Sequence, residues 1–224
     1  NPELVPEGQV QRPTLKLAVN ADSLNSWFVD AMAAFTQGGN ELLDISIDDQ
    51  DHTAKRIKEG EVMAAVTASS SHITGCNIWP LANMHYIAAA SPEFIARFFG
   101  DAGINPQSLS QAPLLTYDRK DAMQDKWLLQ HGVTARHAPP RHWVPSAHAF
   151  VRASLAGMAW GMHPTVLIQE HLQDGTLIEL VPDSGISVPL YWAHARNAQA
   201  GLERLTQCVI NAAQDWLDPI DHKE

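Results

Sequence analysis

Hydrophobic positions along the chain change their period at regular intervals, and each change marks a new element. Residues 15–20 (LKLAVN) read as a short buried strand. Leu24, Trp27, Phe28, Ala31, Met32 and Phe35 then recur at helical spacing across residues 23–37, and Gly38-Gly39 ends that helix. Residues 43–47 alternate Leu43, Ile45 and Ile47 on one face of a second strand. Residues 52–59 form a short helix closed by Gly60. Residues 62–68 are a third strand that runs into Ser69, Ser70 and Ser71. Strand–helix–strand–helix–strand is two successive βαβ units, which predicts a parallel sheet with right-handed crossovers.

After another strand at 86–90 and the pair Ser91-Pro92, the alternation starts again. Helices are predicted at 92–99, at 121–131, from the cap Ser146 to Gly157, and at 165–173. Strands are predicted at 113–117, 142–144, 158–162, 176–181 and 189–194. Residues 200–217 form a last amphipathic helix carrying Leu202, Leu205, Val209, Ala212 and Trp216. Two sets of βα units fit either one long sheet or two similar lobes. With two lobes, the chain crosses near residues 88–92 and 186–190, and the last helix returns to the first lobe. Residues 1–14 hold three prolines and no period, and read as a linker or tail.

Composition narrows the function classes. The formal charge of −10 argues against nucleic-acid binding by this chain alone, because phosphate contacts need a basic face. No apolar run approaches the roughly 18 residues of a membrane span. Cys76 and Cys208 stand too far apart to suggest a disulfide framework, which points to a reducing cytoplasm.

In open α/β sheets ligands sit beyond the carboxyl ends of strands, at helix N-termini. Four such points stand out: Asn20 to Ser23, Thr67 to Ser71, Asp118, and Ser146. Each has a plain alternative. Asp22 or Ser23 suits an N-cap, the serine run suits a solvated loop, and Asp118 suits a polar turn before a capped helix. As a ligand site, free amides at a helix end take an anion, while Asp22 in the same spot attracts an ammonium group. A zwitterion with an extra cation, such as lysine or arginine, uses both features. His137, His142 and His148 lack metal-ligand spacing, so no zinc site is expected. There is no P-loop, GxGxxG, GxSxG or convincing Ser-His-Asp order, and His163 has no identifiable partner as a base. Neither an enzyme nor a cofactor is expected. Trp79, Trp143, Trp160 and Trp192 read as core or cleft walls.

LKLAVNADSL, followed by a helix and DISIDDQDHTAKRIKEGEVMAAVTAS, resembles the effector-binding domain of LysR-type transcriptional regulators. AVNADSL, GEVMAAVT, YIAAASPEF and PLYWAHAR resemble its ArgP/LysG/IciA branch. The resemblance covers residues 15 to about 217. It implies an α/β fold of two Rossmann-like lobes of periplasmic-binding-protein type, joined by two crossover strands. Residues 15–90 and 189–217 would form lobe I, 91–188 lobe II, and 218–224 a tail. It further implies a basic amino acid in the interlobe cleft, control of basic amino acid export or metabolism genes, a cytoplasmic location, and an antiparallel homodimer pairing lobe I with lobe II. DNA would be reached only through an N-terminal winged helix-turn-helix that these 224 residues do not include.

Carried over by position, lobe I offers Asn20, Asp22, Ser23, Thr67, Ala68 and Ser69. Lobe II offers Asp118, Trp143, Ser146 and the 161–163 turn with Met162 and His163. Helix-end groups at Ser23 or Ser146, with Thr67, would take the α-carboxylate. Asp22 and Asp118 would take the two cations, and Trp143 would cover the aliphatic stem. A solute-binding protein of an amino-acid transporter shares this architecture and is the alternative.

Overall fold

In β1 (Thr14–Val19), Leu17, Ala18 and Val19 lose all solvent contact because the strand is flanked on both sides. It pairs in parallel with β2 (Leu42–Ile47) and with β3 (Ala64–Thr67). Helices α1 (Ala21–Leu24), α2 (Phe28–Gln37) and α3 (Thr53–Lys58) lie in the connections. The computed structural model describes residues 12–47, 53–68, 75–196 and 199–220.

The single helix expected over residues 23–37 is two helices with a break at Asn25–Trp27. The cause is local. The Asn25 side-chain amide donates to the Ala21 carbonyl (2.7 Å), and Ser26 Oγ donates to the Asp22 carbonyl (2.7 Å). Short polar side chains thus compete with the helical ladder for its acceptors. The break lets Trp27 and Phe28 both turn inward, where they are fully buried.

β4 (Cys76–Ala90) is 15 residues long, so the strand expected at 86–90 is only its end. α4 (Pro92–Phe98) follows on the cap Ser91, whose Oγ accepts from the Phe94 amide. α5 (Pro106–Gln111) was not indicated by the hydrophobic pattern; an Asn105/Ser108 capping box sets it. β5 (Leu114–Thr116), α6 (Met123–Gln130), β6 (Arg141–Trp143) and α7 (Ala147–Leu155) complete the second βα set, with β5 and β6 parallel. β7 (Gly161–Pro164) begins three residues later than the predicted strand. Gly157, at φ +67°, still closes α7, and the Met158 amide donates back to Ala153. α8 (Thr165–Gln173), β8 (Ile178–Glu179), β9 (Ile186–Ala195) and α9 (Gln199–Trp216) end the chain.

β4 and β9 are the two crossover strands. They run antiparallel to each other from Cys76↔Ala195 to Tyr86↔Ile186, with one irregularity between Pro80 and Ala82. β9 also pairs with β3, while the far end of β4 pairs with β7 and β8. The strand order β2-β1-β3-β9-β4-β7 therefore carries one curled sheet across both lobes. α9 returns to pack on α2, burying Leu202, Leu205, Val209 and Ala213. Trp192 and Phe28 meet at one end of a continuous core (ring centroids 6.3 Å apart), and Trp127 and Trp160 in another part of the same core (5.2 Å). Each such side chain contributes about 1.5–3 kcal/mol by leaving water. No helix of the described residues is long and apolar enough to cross a membrane.

Candidate functional site

A cleft of about 540 Å³ opens where β1 ends, opposite the β5–α6 loop, α7 and β7. On the first wall the chain turns from β1 into α1. Asn20 caps α1: its Oδ1 accepts from the Ser23 amide at 2.8 Å. The cap is therefore neither Asp22 nor Ser23, and the Asp22 carboxylate is left for other work. Tyr86, buried on the crossover strand β4, donates its hydroxyl to Asp22 Oδ2 at 2.7 Å. Burial pushes the Asp22 carboxyl above its usual range. The Tyr86 hydrogen bond partly opposes this, and the nearby Asp121 charge adds to it. Burial, with the charge and hydrogen bond of Asp22, pushes the Tyr86 phenol well up, so Tyr86 stays a donor.

The second wall starts in the loop after β5. Asp118 Oδ1 accepts from the Lys120 and Asp121 amides (2.8 and 3.0 Å), which closes a tight turn. Asp121 Oδ2 accepts from the Tyr117 amide (2.9 Å) and its Oδ1 from the Met123 amide (3.1 Å), so it also anchors the entry to α6. The cleft thus gathers three carboxylates, Asp22, Asp118 and Asp121, against two ammonium groups, Lys120 and Lys126. Phe150, Val151, Met162, Leu167, Val188 and Leu190 supply an apolar lining. His163 is fully buried on β7. Its Nε2 shares a 2.9 Å hydrogen bond with Ser154 Oγ, and its ring meets Phe150 edge-on. Burial pushes its pKa down to about 3, so the imidazole is neutral.

Of the residues singled out from the sequence, Asn20, Asp22, Asp118, Met162 and His163 line this cleft. Ser23 and Thr67 are buried and do not line it. Ala68 packs against the main core. Ser146 Oγ is occupied in capping α7. Trp143 is 48% exposed and faces the Arg119 guanidinium at 4.8 Å, outside the cleft lining. Ser69 lies outside the described residues. The geometry adds Tyr86, Tyr117, Lys120, Asp121, Gln124 and Lys126, none of which the sequence pattern singled out. Asp121 alone carried a signal, as an acid opening a helix after a strand. Tyr86 looked like one more strand residue. Among the described residues, no three His, Cys, Asp or Glu side chains are grouped to hold a metal ion.

The LysR substrate binding domain model matches residues 8–218. The chain is 38% identical over 220 residues to the HTH-type transcriptional regulator ArgP of Pseudomonas fluorescens, covering 98% of this chain and 72% of that protein. It is 36% identical over 211 residues to the HTH-type transcriptional regulator LysG of Mycobacterium tuberculosis, covering 94% and 68%. The C-terminal domains of a LysR family protein from Agrobacterium tumefaciens superpose with a TM-score of 0.89 at 45% identity, covering 93% of this chain and 100% of that one. Full-length LysG from Corynebacterium glutamicum with bound effector Arg superposes with a TM-score of 0.83 at 29% identity, covering 95% and 71%.

Proposed function

The chain belongs to the LysR substrate-binding domain family, as an effector-binding domain of the ArgP/LysG-like kind, and from that premise we propose that its cleft binds lysine or arginine. The observation that carries the proposal is the charge inventory of the cleft, three carboxylates against two ammonium groups. A basic amino acid has the complementary inventory: two cations and one carboxylate. Asp22 with Tyr86 takes one cation in a partly dehydrated setting, where charge-assisted contacts are strongest. Asp118 and Asp121 face the other. Lys120 or Lys126 meets the α-carboxylate, a role the sequence had suggested for Ser23, Ser146 and Thr67. The apolar lining from Phe150 to Leu190 receives the aliphatic stem. The solved relative with bound effector Arg supports the same ligand class.

Binding then biases the geometry of the two lobes, and a DNA-binding domain joined to this one reads the bias in the cytoplasm. The genes under control are those for export or metabolism of basic amino acids. Pairing into an antiparallel homodimer sets lobe I of one protomer against lobe II of its partner. On lobe I, β2 is an edge strand among the described residues with Leu42 47% exposed, and α2 shows Val29 47% exposed.

Thermal-shift and calorimetric titration with lysine, arginine and their uncharged analogues norleucine and citrulline test the proposal. Ligand at a hundred times its Kd stabilises the fold by about 2.7 kcal/mol. The midpoint should rise with lysine or arginine and stay put with the neutral analogues. An unmoved midpoint with both basic amino acids overturns the assignment.

A further inference from the structure

Two side chains of the second wall each keep a polar atom without a partner. Gln124, in the first turn of α6, is 2% exposed, and its Oε1 accepts no hydrogen bond. His163 spends Nε2 on Ser154, and its Nδ1 is left over. Both residues line the cleft. The other buried polar side-chain atoms without partners, on Ser23, Trp27, Thr116 and Trp160, belong to residues that do not line it. Folded proteins satisfy the large majority of buried polar groups, because an orphan retains its desolvation cost. Both orphan atoms are closed to water, yet they belong to residues that line a charged cleft, so a donor that reaches one of them, once the Gln124 amide turns toward the ligand, recovers that cost.

We infer that Gln124 is a specificity-determining residue whose Oε1 accepts an N–H from the cationic side chain of the bound amino acid, and that it favours arginine over lysine. The inference rests on the basic amino acid reading above. A neutral amide adds an acceptor without adding a fourth negative charge to Asp22, Asp118 and Asp121. A guanidinium presents five N–H donors in a rigid plane. When two of them engage a carboxylate, the others still point outward in fixed directions. They need acceptors placed beyond the carboxylate, and Gln124 supplies one. An ammonium group has three donors, turns freely and keeps water more readily, so it depends less on a fixed extra acceptor.

The test is calorimetric titration of arginine and lysine into the wild-type protein, Gln124→Met and Gln124→Glu, beside the ligand-free thermal midpoint of each. Gln124→Met keeps length and removes the acceptor. Arginine affinity should fall by about 10-fold or more, the usual range for a hydrogen bond to a charged group, with a smaller loss for lysine. Its ligand-free midpoint should hold or rise, since the orphan is gone. Gln124→Glu keeps an acceptor and should retain arginine binding. Unchanged arginine affinity in Gln124→Met overturns the inference. So does an equal loss for both ligands, or a loss that tracks a lowered ligand-free midpoint. If Gln124→Met fails to fold, abolished arginine binding by Gln124→Glu overturns it instead. A wild-type protein that binds neither amino acid removes the underlying reading and this inference together, which separates that failure from the others.

Discussion

On one wall of the cleft, Asp22 already holds its donor, because Tyr86 reaches it from the crossover strand; on the other, Gln124 Oε1 and His163 Nδ1 hold none. The first wall hangs from β1, paired on both sides within the large sheet. The second rests on the short β5–β6 pair, on a loop whose turn is tied by Asp118 and Asp121, and on β7, which joins the large sheet at the end of its strand order. Among the residues that line the cleft, the first wall leaves no buried polar side-chain atom without a partner, while the second leaves two, which the proposed ligand would complete. A sensor needs this asymmetry. A cleft satisfied on both sides would gain little by closing, and one unsatisfied on both would hold no shape to bind against.

Disarming the finished wall should have the largest effect. Asp22→Asn should cost about 2–5 kcal/mol of lysine or arginine binding, because it leaves a desolvated cation without its counter-charge; calorimetry showing a minor loss would move the binding centre to the other wall. The same residue sets a pH dependence. Its raised pKa means that acid protonates Asp22 at a higher pH than an ordinary aspartate, so binding should weaken earlier on acidification. For the ligand-free fold the sign is opposite. The folded state holds this proton more firmly than the unfolded chain, so protonation favours folding and the ionised form costs stability. Wild type should therefore gain stability relative to Asp22→Asn as pH falls through that value, as denaturant titrations at several pH values would show.

Tyr86→Phe should come next. It removes the one hydrogen bond that holds the Asp22 carboxyl down, costs about 1.5–3 kcal/mol of stability near neutral pH, and moves the acid limb of binding further up. A binding profile that stays in place would show that Tyr86 does not tune Asp22. On the second wall, Gly161→Ala would set a Cβ 2.5 Å from the Phe150 ring, forcing it against His163 and the cleft lining. Overpacking of this kind costs about 1–3 kcal/mol, readable as a lower thermal midpoint together with weaker ligand binding. Asp118→Asn should matter least, because Asn can still accept both turn amides and the lost charge is exposed. We expect about 0.2–1 kcal/mol in ligand titrations, and a larger loss would show the loop charge to be as important as Asp22.

The period of the hydrophobic positions disclosed the doubled βα order, since core burial imposes that period directly. It hid the length of β4, because CNIWPLANMH has no clean alternation and Pro80 sits at the irregularity in pairing. It hid the break between α1 and α2, because Leu24, Trp27 and Phe28 keep helical spacing across it. Within the site, Asp22 and Asp118 were legible as acids at strand ends. Tyr86 and Gln124 were not, for a shared reason. Each lies inside a regular element, where a polar residue's direction depends on tertiary packing. Ser23 and Thr67 looked like ligand groups because small hydroxyls at strand ends serve equally well in a core.

The 15-residue β4 and its long register with β9 have a mechanical consequence. The middle of this antiparallel ribbon, residues 82–85 against 187–190, is flanked by no other strand among the described residues; stretch or shear there breaks the ladder, but twist is the soft degree of freedom, since two-stranded ribbons tolerate the widest range of it. Motion between the lobes along this ribbon would be torsional. With Tyr86 on β4 and Ile186 and Val188 on β9 bordering the cleft, a ligand held there as proposed would turn a shaft. The signal would leave this domain as torque.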